Sequence, residues 1–199
     1  MSKKRKKSIV REYTEIIVLA VGLALFVRTF FVQAFRIPSE SMEDTLLVGD
    51  FLFANKLLYG PKLPSVSARL PGIRAPKAGD IIIFKYPGDH KVDYIKRCVA
   101  VEGQTVELID NHLFVDGVLR DEDFTKYVFG SRPERHFGPF KVPEGHIFMM
   151  GDNRDNSADS RVWGPLDKKL ISGKAMFIYF SWNPRSHSIR FSRIGDMIR

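Results

Sequence analysis

Val92-Asp93-Tyr94-Ile95-Lys96-Arg97-Cys98-Val99-Ala100-Val101 decides the fold class of this chain. The stretch is rich in β-branched and aromatic residues, and a strand puts Val92, Tyr94, Lys96, Cys98 and Ala100 on one face. Short runs of the same kind recur at 80–86, 105–109, 112–115, 146–150 and 174–181, with a further apolar stretch at 46–54. Asp110-Asn111 and Asp116-Gly117 supply hairpin turns between neighbouring runs. Residues 60–79 hold Pro61, Pro64, Pro71 and Pro76 and read as a loop. No long amphipathic helix is expected after residue 36. The outer part is therefore mainly β and predominantly antiparallel.

What precedes it is of another kind. Residues 16–27 (IIVLAVGLALFV) are apolar without a break, and residues 29–35 continue the run past Arg28 to about the 20 residues that cross a bilayer. A core helix would show a polar face, and this run has none. A cleavable signal peptide is the closer rival, because Val32-Gln33-Ala34 resembles a cleavage site. The arginine at 28 and the apolar Phe30, Phe31 and Val32 beyond it fit an uncleaved anchor better, with Arg28 snorkelling outward from about two turns inside the far end. The expected organisation is a basic head at 1–14, a transmembrane anchor at 15–35, a first β part at 36–103, an insertion at 104–145 and a second β part at 146–199.

Of the net charge of +8, about +5 lies in residues 1–14, on Lys3, Lys4, Arg5, Lys6, Lys7 and Arg11 against Glu12. Roughly +3 more follows Asn183, so the middle is near neutral and is not a nucleic-acid surface. Under the positive-inside rule the head is cytoplasmic and the bulk of the chain lies outside. A single cysteine, Cys98, excludes an internal disulfide framework.

The sequence carries no G-x-S-x-G elbow and no H-E-x-x-H pair. The acidic run Asp152-Asn153-Arg154-Asp155-Asn156-Ser157 puts an arginine where a calcium loop needs an oxygen ligand. No metal or cofactor is expected. Pro38-Ser39-Glu40-Ser41-Met42 places two hydroxyls in a proline-started turn shortly after the anchor, which by itself reads as a local cap or ST-turn before it reads as catalysis. Lys96 raises its interest. A lysine on the uncharged face of the strand loses hydration, its pKa falls, and the neutral amine is a base that activates a serine without histidine. From pattern alone Lys96 can equally snorkel at a strand edge. The third segment, 151–161, is dense in hydrogen-bonding side chains and suits a polar network that orients other groups.

Together these segments resemble the bacterial type I signal peptidase (leader peptidase) family. The likeness rests on the anchor, P-S-x-S-M, the D-Y-I-K-R stretch at 93–97 and the G-D-N-R-D-N-S-x-D-S-R box at 151–161, and it covers nearly the whole chain after residue 10. It implies a serine endopeptidase with Ser41 as nucleophile and Lys96 as general base. It implies that Ser39 joins the Ser41 N–H in the oxyanion hole, that Ser157 holds the Lys96 amine, and that Asp159 and Arg161 form a supporting ion pair. Apolar subsites for small side chains would be walled by Ile37, Met42, Leu46, Tyr94 and Ile95, with the substrate extended along a strand edge. The substrates would be preprotein signal peptides at the outer face of a bacterial inner membrane. Two departures stand out: Asp44 replaces a proline, and Glu102-Gly103-Gln104 replaces P-G-D. The short spacing before the box reduces the family's second β region to a hairpin and a loop. A protease dedicated to one precursor, or an inactive tethered binding domain, remains open, and only the catalytic readings need a neutral Lys96.

Overall fold

The computed structural model describes residues 9–63, 68–126 and 136–199. Its first element, α1 (Ile9–Phe30), buries none of its 22 residues and is the single described helix long and apolar enough to cross a membrane. At about 1.5 Å per residue it matches the hydrocarbon thickness of a bilayer. The apolar helix expected at 15–35 is therefore shifted: it begins at Ile9, ends at Phe30 and carries Arg28 in its last turn. Residues after Phe31 leave the helix for β1 (Val32–Arg36), because β1 finds a partner in β2 (Asp50–Asn55), from Val32 opposite Asn55 to Arg36 opposite Phe51. Tertiary pairing outweighs the continuity of the apolar run. Val32-Gln33-Ala34 thus lies within a sheet. Lys3 to Lys7 lie outside the described residues.

The remaining strands are β3 (Ile81–Tyr86), β4 (Asp89–Val101), β5 (Thr105–Ile109), β6 (His112–Val115), β7 (Val118–Leu119), β8 (His136–Lys141), β9 (His146–Met150), β10 (Leu166–Asp167), β11 (Ile171–Asn183) and β12 (Ser188–Ile189), with one helical turn, α2 (Ser160–Trp163). Pairing is antiparallel throughout these strands and gives two sheets. The larger runs β1-β2-β11-β3-β4-β9-β10, with β12 on β11, and the smaller runs β7-β6-β5-β8. The smaller sheet exceeds the expected hairpin and loop because β8 also joins it, pairing with β5.

The alternation of β2, β5 and β6 turns every second residue toward a core. Ile37, Met42, Leu46, Leu52, Ile81 and Ile95 belong to one cluster under β1, β2 and β11, and Val106, Leu108, Leu113 and Phe148 belong to another under the small sheet. The chain end is part of the first cluster: Gly195 N–H donates to Ile178 O, Ile198 N–H donates to Met176 O, and Ile198 is buried.

Residues 60–79 are not a featureless loop. Lys62 pairs antiparallel with Arg69, and Leu70 N–H donates to Pro61 O, so the flanks 61–63 and 68–70 lie side by side. At their base the chain crosses itself so closely that a Cβ on Gly60 (φ 81°) would lie 2.0 Å from Leu70 O. No other residue fits there.

Candidate active site

The turn joining β1 to β2 carries both candidate serines. Its base is closed by Ile37 N–H to Asp50 O and Gly49 N–H to Ile37 O, and its middle by Leu46 N–H to Met42 O. Met42 and Leu46 are fully buried, which pins the backbone on either side of the turn and holds Ser41 against the sheet. Asp44 sits at φ 85°. Proline, fixed near −65°, cannot adopt that angle, so the departure noted at Asp44 goes with a turn of different shape.

Lys96 comes to this turn from β4. It is 4% exposed, and its Nζ lies 2.6 Å from Ser41 Oγ and 3.0 Å from Ile95 O. The Tyr94 ring centroid is 5.4 Å from the amine. Burial lowers the Lys96 pKa to about 8, opposed by the negative charges of Asp159 and Asp152. Ser39 Oγ is 3.4 Å from Ser41 Oγ, on the same rim.

The loop after β9 supports both. Asp159, fully buried, takes two hydrogen bonds from Arg161 at 2.9 Å and one from Gly151 N–H at 3.1 Å, and it caps α2. Arg161 also donates to Arg154 O at 2.6 Å. Asp152, equally buried, is held by Arg97 through two 2.8 Å bonds and accepts from Thr45 Oγ1 at 2.6 Å. Asn153 ties the loop to the nucleophile turn: its N–H donates to Ser41 O at 3.2 Å and its Nδ2 to Glu40 O at 3.1 Å. Gly151 passes so near that a Cβ there would be 2.5 Å from Ser41 O and 2.3 Å from Ser157 Oγ. Ser157 is 6% exposed, and its Oγ has no partner among the described residues; the hydrogen bonds of Lys96 go to Ser41 and Ile95.

A cleft of about 290 Å³ opens over Ser41 and Lys96, walled by Pro38, Val92, Tyr94, Ile95 and Ala158. Ile37, Met42 and Leu46, expected in its walls, lie in the core and do not line it, because they serve to hold the turn. Asn153, Arg97 and Asp152 escape a reading of the sequence as individual residues. The hint to Asp152 and Asn153 is the density of polar side chains in 151–161, and to Arg97 its place at the end of the D-Y-I-K-R stretch. Cys98 is fully buried and its thiol is pushed up to about 12 by burial, which makes it unreactive.

A sequence profile described as "Signal peptidase, peptidase S26" matches residues 10–182. The chain belongs to that family. It is 35% identical to a signal peptidase I of Pseudomonas fluorescens over 98% of this chain and 82% of the relative, and 36% identical to one of Bacillus licheniformis over 89% and 92%. A solved signal peptidase I from Enterococcus faecalis V583 shows 30% identity and a TM-score of 0.46, covering 52% of this chain and 98% of its own. As a member of the signal peptidase family the chain is a serine endopeptidase, and its apolar N-terminal helix agrees with attachment to a membrane.

Proposed function

We propose that this chain cuts signal peptides from exported preproteins with a Ser41/Lys96 dyad, through an acyl-enzyme. The observation that carries the reading is a nine-tenths buried lysine amine, lowered to about 8, at 2.6 Å from a serine hydroxyl. A binding module has no use for that arrangement.

In the proposed sequence the neutral Lys96 amine takes the Ser41 proton as Oγ attacks the scissile carbonyl carbon. The oxyanion is met by the Ser41 N–H and the Ser39 hydroxyl. The C–N bond breaks as the leaving amine takes the proton back from Lys96, leaving an ester on Ser41. Water deprotonated by the same amine then releases the acid and restores the serine. Asp159 with Arg161, and Asp152 with Arg97, hold the loop that keeps Ser41 on the amine.

The substrate adds to β4 as an extended strand. In support, β3 covers β4 up to Arg97, whereas β9 pairs with it only from Arg97 to Val101, so the cleft side of residues 92–96 has no strand neighbour among the described residues. The subsites are then bounded by Tyr94 and Ile95, with Pro38, Val92 and Ala158 completing the apolar wall. The basic residues before α1 orient the chain with its N-terminus in the cytoplasm and the cleft on the outer face of a bacterial inner membrane.

The test is cleavage of a preprotein with an A-x-A site by the full chain in vesicles. Ser41→Ala and Lys96→Ala should be inactive while folded. Wild-type turnover should rise about ninefold between pH 7 and pH 9, since a base at about 8 is roughly one-tenth neutral at the first and nine-tenths at the second. Cleavage by Lys96→Ala would overturn the assignment.

A further inference from the structure

Away from the cleft, the described residues of 59–62 and 68–76, together with the turn before β11, line a larger open cavity of about 660 Å³. Its lining includes Lys62, Arg69, Arg74, Lys168 and Lys169 and no acidic residue. Arg74 is paired with Asp80 at 2.7 Å and Lys168 with Glu102 at 2.7 Å, which leaves Lys62, Arg69 and Lys169 without a carboxylate among the described residues. Arg69 is fixed in place by donating to the main-chain carbonyls of Tyr59, Gly60, Lys169 and Ile171, which orient the guanidinium without neutralising it. The Lys62 pKa is lowered by partial desolvation and then by the Arg69 and Lys85 charges, against the opposing pull of the Asp93 and Asp167 carboxylates. An arrangement that holds like charges together around an open space gains from an anion inside it. Between the cations the walls are apolar, formed by Ala68, Ala75, Pro76 and Ile171.

The cavity also has a fixed relation to α1. Lys56 N–H donates to Phe31 O at 2.9 Å and its Nζ to Arg28 O at 3.3 Å, at the end of the helix. The turn Leu57–Tyr59 follows at once, so Tyr59, part of the lining, is at most about 10 Å of chain from Lys56. That keeps the lining beside the end of α1, where a spanning helix meets the headgroups.

We propose that this cavity binds the phosphate of an anionic phospholipid headgroup, with Lys62 and Lys169 as direct donors, Arg69 as a fixed charge and the apolar walls against the glycerol. The proposal rests on α1 spanning the bilayer and is independent of the catalytic assignment.

The experiment measures binding of short-chain phosphatidylglycerol, short-chain phosphatidylcholine and inorganic phosphate to the full chain in a non-ionic detergent. Wild type is compared with Lys62→Ala/Lys169→Ala and with Lys91→Ala/Lys141→Ala, lysines that are exposed elsewhere. Phosphatidylglycerol should bind saturably and weaken by roughly thirtyfold in the first double variant, on the scale of two surface cations, and not in the second. Phosphatidylcholine should bind far more weakly, and phosphate should compete only at much higher concentration. Equal binding by both double variants, or by both lipids, overturns the site. Phosphate binding that depends on Lys62 and Lys169 without lipid binding overturns the lipid as its source. Peptide cleavage in detergent should be the same in all three proteins, so a failed catalytic assignment is read separately.

Discussion

Replacing Lys96 by methionine keeps the length of the side chain and removes its charge, which isolates what the folded state spends on that amine. An ordinary lysine titrates near 10.5 and Lys96 at about 8. Below pH 8 the unfolded chain carries this proton with little difficulty and the folded chain carries it in a buried site, so the native state is destabilised by about 3 kcal/mol relative to an unperturbed lysine. As pH rises from 8 to 10.5 the folded amine is already neutral while the unfolded one still binds a proton, and stability is regained. At pH 10 the penalty has fallen to about 1 kcal/mol. Lys96→Met also loses the contacts to Ser41 Oγ and Ile95 O, on the order of 1 kcal/mol each, but that loss changes little with pH. The stability of Lys96→Met relative to wild type should therefore be about 2 kcal/mol more favourable at pH 7 than at pH 10. Guanidinium unfolding of both proteins in the same detergent at the two pH values reads this directly, since every other titrating group cancels in the difference. Parallel curves, with the same offset at both pH values, would refute a strained amine at 96.

Asp159→Asn removes the leading negative charge that opposes the drop in the Lys96 pKa, so the midpoint of the pH–rate profile should move to lower pH. The same change strands the Arg161 guanidinium and should lower stability by on the order of 3 kcal/mol in a denaturant melt. Gly151→Ala should fold yet lose about a hundredfold in kcat on a peptide substrate, because the new methyl must displace Ser41 O or Ser157; unchanged kcat would mean the turn has slack.

The parts of the fold that show in the sequence are those whose physics is local. Strands β5, β6 and β9 have the bounds that alternation predicts, because each runs between turn residues. β1 is hidden because its apolar residues follow without a break on those of α1, and only its pairing with β2 separates them. β8 is hidden because Gly138-Pro139 within it signals a turn. At the site, Lys96 reads as unusual from its uncharged neighbours, and the structure places it against Ser41, 55 positions away. Ile37, Met42 and Leu46 look like subsite walls by hydrophobicity alone. Nothing local distinguishes an apolar side chain that faces a substrate from one that clamps a turn. The approach of Gly151 and Asn153 to Ser41 is likewise a property of the assembled sheet.

Only Phe31 separates α1 from β1, and Lys56 is bonded both to Phe31 and to Arg28 in the last turn of the helix. The helix is thus a mount and not a tether. A domain on a flexible linker samples all headings above a surface, whereas here the heading of the cleft is inherited from the tilt of the helix. Tilt answers to bilayer thickness, as a span leans over to keep its apolar length covered. Lipid composition becomes an aiming control: a thinner membrane rotates the cleft without altering one catalytic distance.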